Sequence, residues 1–146
     1  MTRVAEIEQA IISELKTTLT YFKKVSTLAE FLQMSADNLA VLTPAAYVTY
    51  AGGSYKPRGM TTDRFDREMQ FAIIVVCRNP ISQARLLHGT PVREGVYEII
   101  EDVVAALKGR TLGLDIRPLE PLSDNAMDGD TVTAVYGITF GTKGRA

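Results

Sequence analysis

Phe65-Asp66-Arg67-Glu68-Met69-Gln70-Phe71-Ala72-Ile73-Ile74-Val75-Val76-Cys77 is the stretch that decides the fold. Phe65, Met69, Phe71, Ile73, Val75 and Cys77 fall on one side of an extended chain, the pattern of a strand with one face in a core. Asp66, Glu68 and Gln70 hold the opposite side until Ala72, Ile74 and Val76 make that side apolar as well. A strand that passes from one-sided to two-sided burial runs from a wet rim to a covered centre. Other strands must therefore pair beside it, and helices must cover at least one face.

Working toward the N-terminus, Gly52–Arg64 reads as a long connection, preceded by a strand over 45–51 (Ala45-Ala46-Tyr47-Val48-Thr49-Tyr50-Ala51) that stops at Gly52-Gly53. Pro44 resets the chain there, and Met34 to Thr43 is irregular or weakly helical. Before it, Thr27 and Glu30 have the capping-box spacing, with Leu28, Phe31 and Leu32 as a small apolar face. Val4, Ile7, Ile11, Leu15, Leu19 and Phe22 recur at spacings of three and four, which predicts a first helix over about 3–23.

Toward the C-terminus, Arg78–Gly89 is a second long connection. Thr90 suits an N-cap and Pro91 the first helical position. Val92, Val96, Ile99, Ile100, Val103, Val104 and Leu107 then form an apolar stripe, with Glu94, Glu98, Glu101 and Asp102 on the wet side. Gly109 sits where a C-terminal glycine belongs. A short strand at Leu114–Arg117, a turn-rich connection Pro118–Gly129, and a strand over about Asp130–Thr142 complete the chain. The residues around Gly141 and Gly144 read as a frayed tail. The expected fold is α+β, a single domain over 1–146, with an antiparallel β-sheet of about four strands flanked by two main α-helices, in the order α-α-β-β-α-β-β.

Composition bounds function. A chain of 146 residues with 46% apolar and 23% charged residues holds a core and matches globular averages. With 16 basic against 17 acidic residues, it lacks the basic footprint of a dedicated nucleic-acid binder. Cys77 stands alone, so no intramolecular disulfide forms, and its apolar setting marks it as a small buried hydrophobe. No run approaches the roughly 20 apolar residues of a membrane span. The N-terminus lacks the apolar core of a signal peptide, so the expected location is the cytoplasm.

Chemical signatures fail one by one. Gly52–Gly59 has glycines and Lys56, but Pro57 follows the lysine and a strand follows the loop, so it is no phosphate loop. Asp124, Asp128 and Asp130 hint at calcium, yet Ala126 and Val135 occupy ligand positions of that pattern. One histidine, His88, and one cysteine exclude the usual zinc sites, and no serine lies in a nucleophile elbow. No catalytic residue, metal site or cofactor is called for. The three long connections mix charge with apolar residues, as segments that order against a neighbouring subunit do. Tyr55, Lys56, Arg58 and Met60 in the first, Arg85 and Leu86 in the second, and Leu119 and Leu122 in the third are the expected contact residues.

Five stretches carry a family likeness: Ile7-Glu8-Gln9-Ala10-Ile11-Ile12; Leu42-Thr43-Pro44-Ala45-Ala46-Tyr47-Val48-Thr49-Tyr50-Ala51-Gly52; Phe71–Cys77; Gly95-Val96-Tyr97-Glu98-Ile99-Ile100 with Leu107-Lys108-Gly109; and Val135-Tyr136-Gly137-Ile138-Thr139-Phe140. In their order and spacing the chain resembles the tail terminator (tail completion) proteins of Mu-like phages and prophages. The resemblance implies a structural virion protein that is not an enzyme, assembled in the host cytoplasm and ending in the virion tail. It would form a homo-oligomeric ring, usually a hexamer, that caps the head-proximal end of the tail tube and joins the head. Its partners would be itself, the tail tube protein and the head-tail connector protein, with DNA only passing through the lumen and no membrane. Such a ring needs two different surfaces per subunit. Two rival readings remain: another tail or neck subunit, and a small-ligand-binding domain or enzyme, which would show a deep pocket with convergent polar groups.

Overall fold

The computed structural model describes residues 3–33, 42–59, 64–78, 95–129 and 133–145. Their elements are α1 (Val4–Thr18), β1 (Lys24–Thr27), α2 (Leu28–Gln33), β2 (Ala45–Pro57), β3 (Phe65–Arg78), α3 (Val96–Leu107), β4 (Glu120–Gly129) and β5 (Thr133–Arg145). The strands form one five-stranded sheet in the order β1-β2-β3-β5-β4. The architecture is α+β, as expected, but the sheet is mixed and has five strands where about four antiparallel ones were expected. β1 lies parallel to β2, with Val25 beside Ala46, while every other neighbouring pair is antiparallel.

β3 is the central strand that its sequence promises. Met69, Phe71, Ile73, Val75 and Cys77 are buried in the main core with Ile7, Ile11 and Leu15 of α1, Val96, Ile99, Val103 and Leu107 of α3, and Ile138 and Phe140 of β5. This inner face thus carries both long helices. On the outer face Ile74 and Val76 join Ala45 and Tyr47 in a second, smaller cluster, packed against Leu28 and Phe31 of α2. The passage from one-sided to two-sided burial along β3 is therefore real, and α2 is the described element that covers the second side.

Several boundaries differ from the sequence reading, each for a local reason. α1 ends at Thr18 instead of near residue 23. The run Lys16-Thr17-Thr18-Leu19-Thr20 carries three threonines, which hold a helix poorly because their branched side chains lose freedom there. Leu19 and Phe22 still pack on the core from beyond the helix end. The freed chain becomes β1, positioned by the Lys23 N–H donating to the Pro44 carbonyl (2.9 Å). The Thr27 cap is present: the Glu30 N–H donates to its hydroxyl (3.3 Å). The Glu30 carboxylate turns to Ser26 and Lys24 instead.

β2 runs through the expected first loop as far as Pro57, with a register shift between Tyr50 and Gly52, where Gly52 takes φ 123°. α3 begins at Val96 in the described residues; Thr90, Pro91 and the Arg78–Gly89 connection beyond Arg78 lie outside them. Gly109 does close the helix, at φ 74°.

Leu114–Arg117 is not a strand. Leu112 and Gly113 both take positive φ, which turns the chain. The segment nonetheless docks on β5: the Arg117 N–H donates to the Lys143 carbonyl (2.8 Å), and the buried Thr142 hydroxyl donates to the Arg117 carbonyl (2.6 Å). Most of the expected third loop is β4, and the supposed frayed tail is the end of β5, with Lys143 beside Glu68 and Gly144 beside Arg67. Among the described residues no helix is long and apolar enough to cross a membrane.

Candidate functional site

The outer face of the sheet is covered near one end by α2 and left open toward the other among the described residues. The open end is built from the last residues of β2, the first of β3, the last of β5 and the start of β4. β5 has no side chain at Gly137 and Gly141 on this face, and β4 lays apolar groups across the vacated space. A Cβ at Gly137 would stand 3.0 Å from the Met127 sulfur, and one at Gly141 3.0 Å from a Leu122 methyl. Both side chains are about half exposed, Leu122 at 50% and Met127 at 53%. β4 pairs with β5 alone and is broken by register shifts between Pro121 and Ser123 and between Ala126 and Gly129.

Charge at this end is arranged in ladders. Lys56 of β2 and Lys143 of β5 reach the Glu68 carboxylate between them at 2.9 and 3.5 Å, and Arg58 meets Asp66 at 3.3 Å. The hydrogen bond from Lys56, helped by the charges of Lys56 and Lys143, holds the Glu68 carboxyl below its ordinary range. At the covered end Lys24 and Ser26 do the same to Glu30. An open groove of about 700 Å³ runs here, with Arg58, Glu68, Arg117, Glu120, Leu122 and Lys143 in its lining. Of its acids, Glu68 and Asp66 are matched by cations of neighbouring strands, while Asp115 and Glu120 also line it. Among the described residues no group of three or more His, Cys, Asp or Glu could hold a metal ion.

The inner side of the same end carries a different cluster. Arg67 lies with its guanidinium carbon 5.4 Å from the Tyr50 ring centre and 5.3 Å from that of Tyr55, and donates to the Tyr50 hydroxyl at 3.1 Å. Such stacking favours a guanidinium on aromatic faces. Tyr55 is 57% exposed, so the cluster reaches the surface. Further toward the helices, Tyr97 of α3 meets Tyr136 edge-on at 6.3 Å, and burial, with Tyr97 adding to it, raises the Tyr136 hydroxyl above its usual pKa.

The structure brings Tyr55, Lys56 and Arg58 together on one hairpin arm and sets Leu122 on the same open end. Leu119 is a correction. It is fully buried in the main core and cannot meet a partner. Its N–H donates to the Arg110 carbonyl (2.9 Å) and its carbonyl accepts from the Gly109 N–H (2.8 Å), so it pins the end of α3 to the entry of β4. Met60, Arg85 and Leu86 lie outside the described residues. Sequence reasoning missed Met127, Tyr97, Leu32 and Arg67. Arg67 carries no signal of its own in the alternating stretch Phe65–Cys77, because the tyrosine pair that marks it comes from another strand.

No curated protein matches the chain. The family model described as "Bacteriophage Mu, Gp37" matches residues 3–140. That span takes in both long helices, β1 to β4 and most of β5, and the chain belongs to this bacteriophage Mu Gp37 family.

Proposed function

We propose that the protein is a structural protein of the phage particle and, within it, a tail terminator: a homo-oligomeric ring, a hexamer by preference, that caps the head-proximal end of the tail tube and offers the joining surface for the head connector. The observation that carries this reading is the match to a bacteriophage Mu family over 3–140, which implies a phage structural protein. The geometry supports the assembly half. Exposed Tyr55 and Leu122 stand at the sheet end where Glu68 and Asp66 are matched by neighbouring cations, and Met127 is exposed further along β4. Aromatic and methionine side chains are enriched at protein interfaces. With a formal charge of −1 per chain, a ring of copies has no need to grip the DNA passing through it.

The test is deletion of the gene in its phage, followed by electron microscopy of lysates. Tails of unregulated length, detached from heads and corrected by adding the purified protein, are the expected result. Tails of normal length joined to heads without this protein would overturn the proposal. A tube subunit, the nearest rival, would instead leave no tails at all.

A further inference from the structure

Arg67 differs from the other cations of the open end. Asp66 and Glu68 flank it in sequence, but strand alternation turns both to the opposite face, where Arg58, Lys56 and Lys143 take them. On its own face Arg67 has a tyrosine hydroxyl and two aromatic rings, and no carboxylate forms an ion pair with it among the described residues. Its Nε is buried without a hydrogen-bond acceptor. A guanidinium offers donors in a fixed fork that fits a carboxylate, and a buried donor left unmet is costly.

The surrounding chain holds this arrangement in place. The register shift after Tyr50 brings Gly53 and Tyr55, opposite Met69 and Arg67, onto the same face of the sheet as that ring. Gly53 leaves room for it: a Cβ there would stand 2.5 Å from the Tyr50 hydroxyl oxygen. The guanidinium is thus held in place between the two rings, with no carboxylate paired to it among the described residues.

The molecule also presents the complementary charge. α1 and α3 together carry Glu6, Glu8, Glu14, Glu98, Glu101 and Asp102 against the single cation Lys16. Glu14 meets Arg110, and Asp102 accepts from Tyr21. Glu6, Glu98 and Glu101 are exposed and have no ion pair among the described residues.

We propose that the Arg67–Tyr50–Tyr55 cluster is a carboxylate-binding anchor that takes an acidic side chain from the helix layer of a second copy of this chain. The contact is head-to-tail, because its two halves are different surfaces, and head-to-tail contacts build rings when the rotation closes. It rests on the proposed self-assembly and adds which surfaces meet. Tyrosine and arginine are the residue types that dominate interface energetics.

Sedimentation velocity of the full chain over a concentration series, at low and high salt, tests this with Arg67→Gln, Arg67→Lys and the combined Glu6→Gln, Glu98→Gln, Glu101→Gln variant. Arg67→Gln weakens self-association by about tenfold or more, as loss of an interface anchor does. Arg67→Lys recovers only part of it, since an ammonium lacks the fork. The helix variant loses a similar amount, and joining it to Arg67→Gln adds little, because both remove one contact. Circular dichroism and the denaturation midpoint report folding; should Arg67→Gln itself unfold, the helix variant carries the same test from exposed positions. Variants that assemble like wild type, or losses that simply add, overturn the pairing and leave the tail-terminator proposal standing. Intact self-association with lost binding to tube ends or to DNA overturns the second copy as occupant. A wild-type chain that stays monomeric at every concentration and on purified tube ends overturns both.

Discussion

The inner face of the sheet meets two long helices, whereas the outer face meets, among the described residues, only the short α2. The difference separates the face that holds this protein together from the face that leaves apolar side chains in solvent. On the inner face Phe71, Ile73, Ile138 and Phe140 are almost or wholly removed from solvent, and burying such side chains stabilises a fold by about 1.5–3 kcal/mol each. On the outer face beyond α2, Leu122 and Met127 stay half exposed over two glycines. An apolar side chain left wet gives the fold little, so its removal should cost the fold little.

The sharpest way to break the comparison uses two leucines of the same stretch. Leu119→Ala should destabilise by about 2–5 kcal/mol, the cost of emptying a buried leucine site, read as a lower urea midpoint. Leu122→Ala should shift stability by no more than about 0.5 kcal/mol, as substitutions at exposed sites do. Equal losses would mean that the outer face belongs to the core after all. The next largest effect lies at the open end's interior side. In Gly53→Ala the new methyl would meet the Glu68 carbonyl oxygen and the Tyr50 hydroxyl, both at 2.5 Å. Overpacking of this kind costs about 1–3 kcal/mol, and thermal unfolding should show it together with a displaced tyrosine signal in near-ultraviolet circular dichroism.

The smallest effect concerns the charge ladder. Glu68 has a lowered folded-state pKa, caused first by Lys56. Its contribution is therefore present above the ordinary carboxylate range and disappears as pH falls through the lowered value. The carboxylate is solvent-exposed, so the difference between wild type and Glu68→Gln should be slight at neutral pH and absent in strong acid, as followed by denaturant midpoints across the acid range. A difference that grew on acidification would reverse the assignment of Lys56 as the stabilising partner.

Much of the inner face could be read from the sequence, because hydrophobic spacing is a property of each segment by itself. The stripes Ile7-Ile11-Leu15 and Val96-Ile99-Val103-Leu107 and the alternation along Phe71–Cys77 all reached the core as expected. The outer face and the edges could not be read in that way. Glu120-Pro121-Leu122-Ser123-Asp124-Asn125-Ala126 is rich in turn-formers and poor in branched residues, yet it is a strand, since pairing with β5 overrides weak local preference. Lys24–Thr27 is too short for any period to show. Of the expected contact residues, Tyr55, Lys56, Arg58 and Leu122 stand on the open end, while Leu119 is buried because its place between α3 and β4 depends on bonds to Gly109 and Arg110. The Arg67 cluster needed register, as its two rings come from either side of a bulge on another strand.

The two irregularities of β4, with Pro121 at one of them, have a consequence for behaviour in concentrated solution. A straight, unbroken border strand invites a second molecule to zip along it, and stacks of such molecules become fibres. Here the border lacks one amide hydrogen at Pro121, steps out of line twice, and carries Asp124 between the steps. A stray copy finds no continuous row of donors and acceptors to copy along this border, so the β4 side is guarded against runaway stacking.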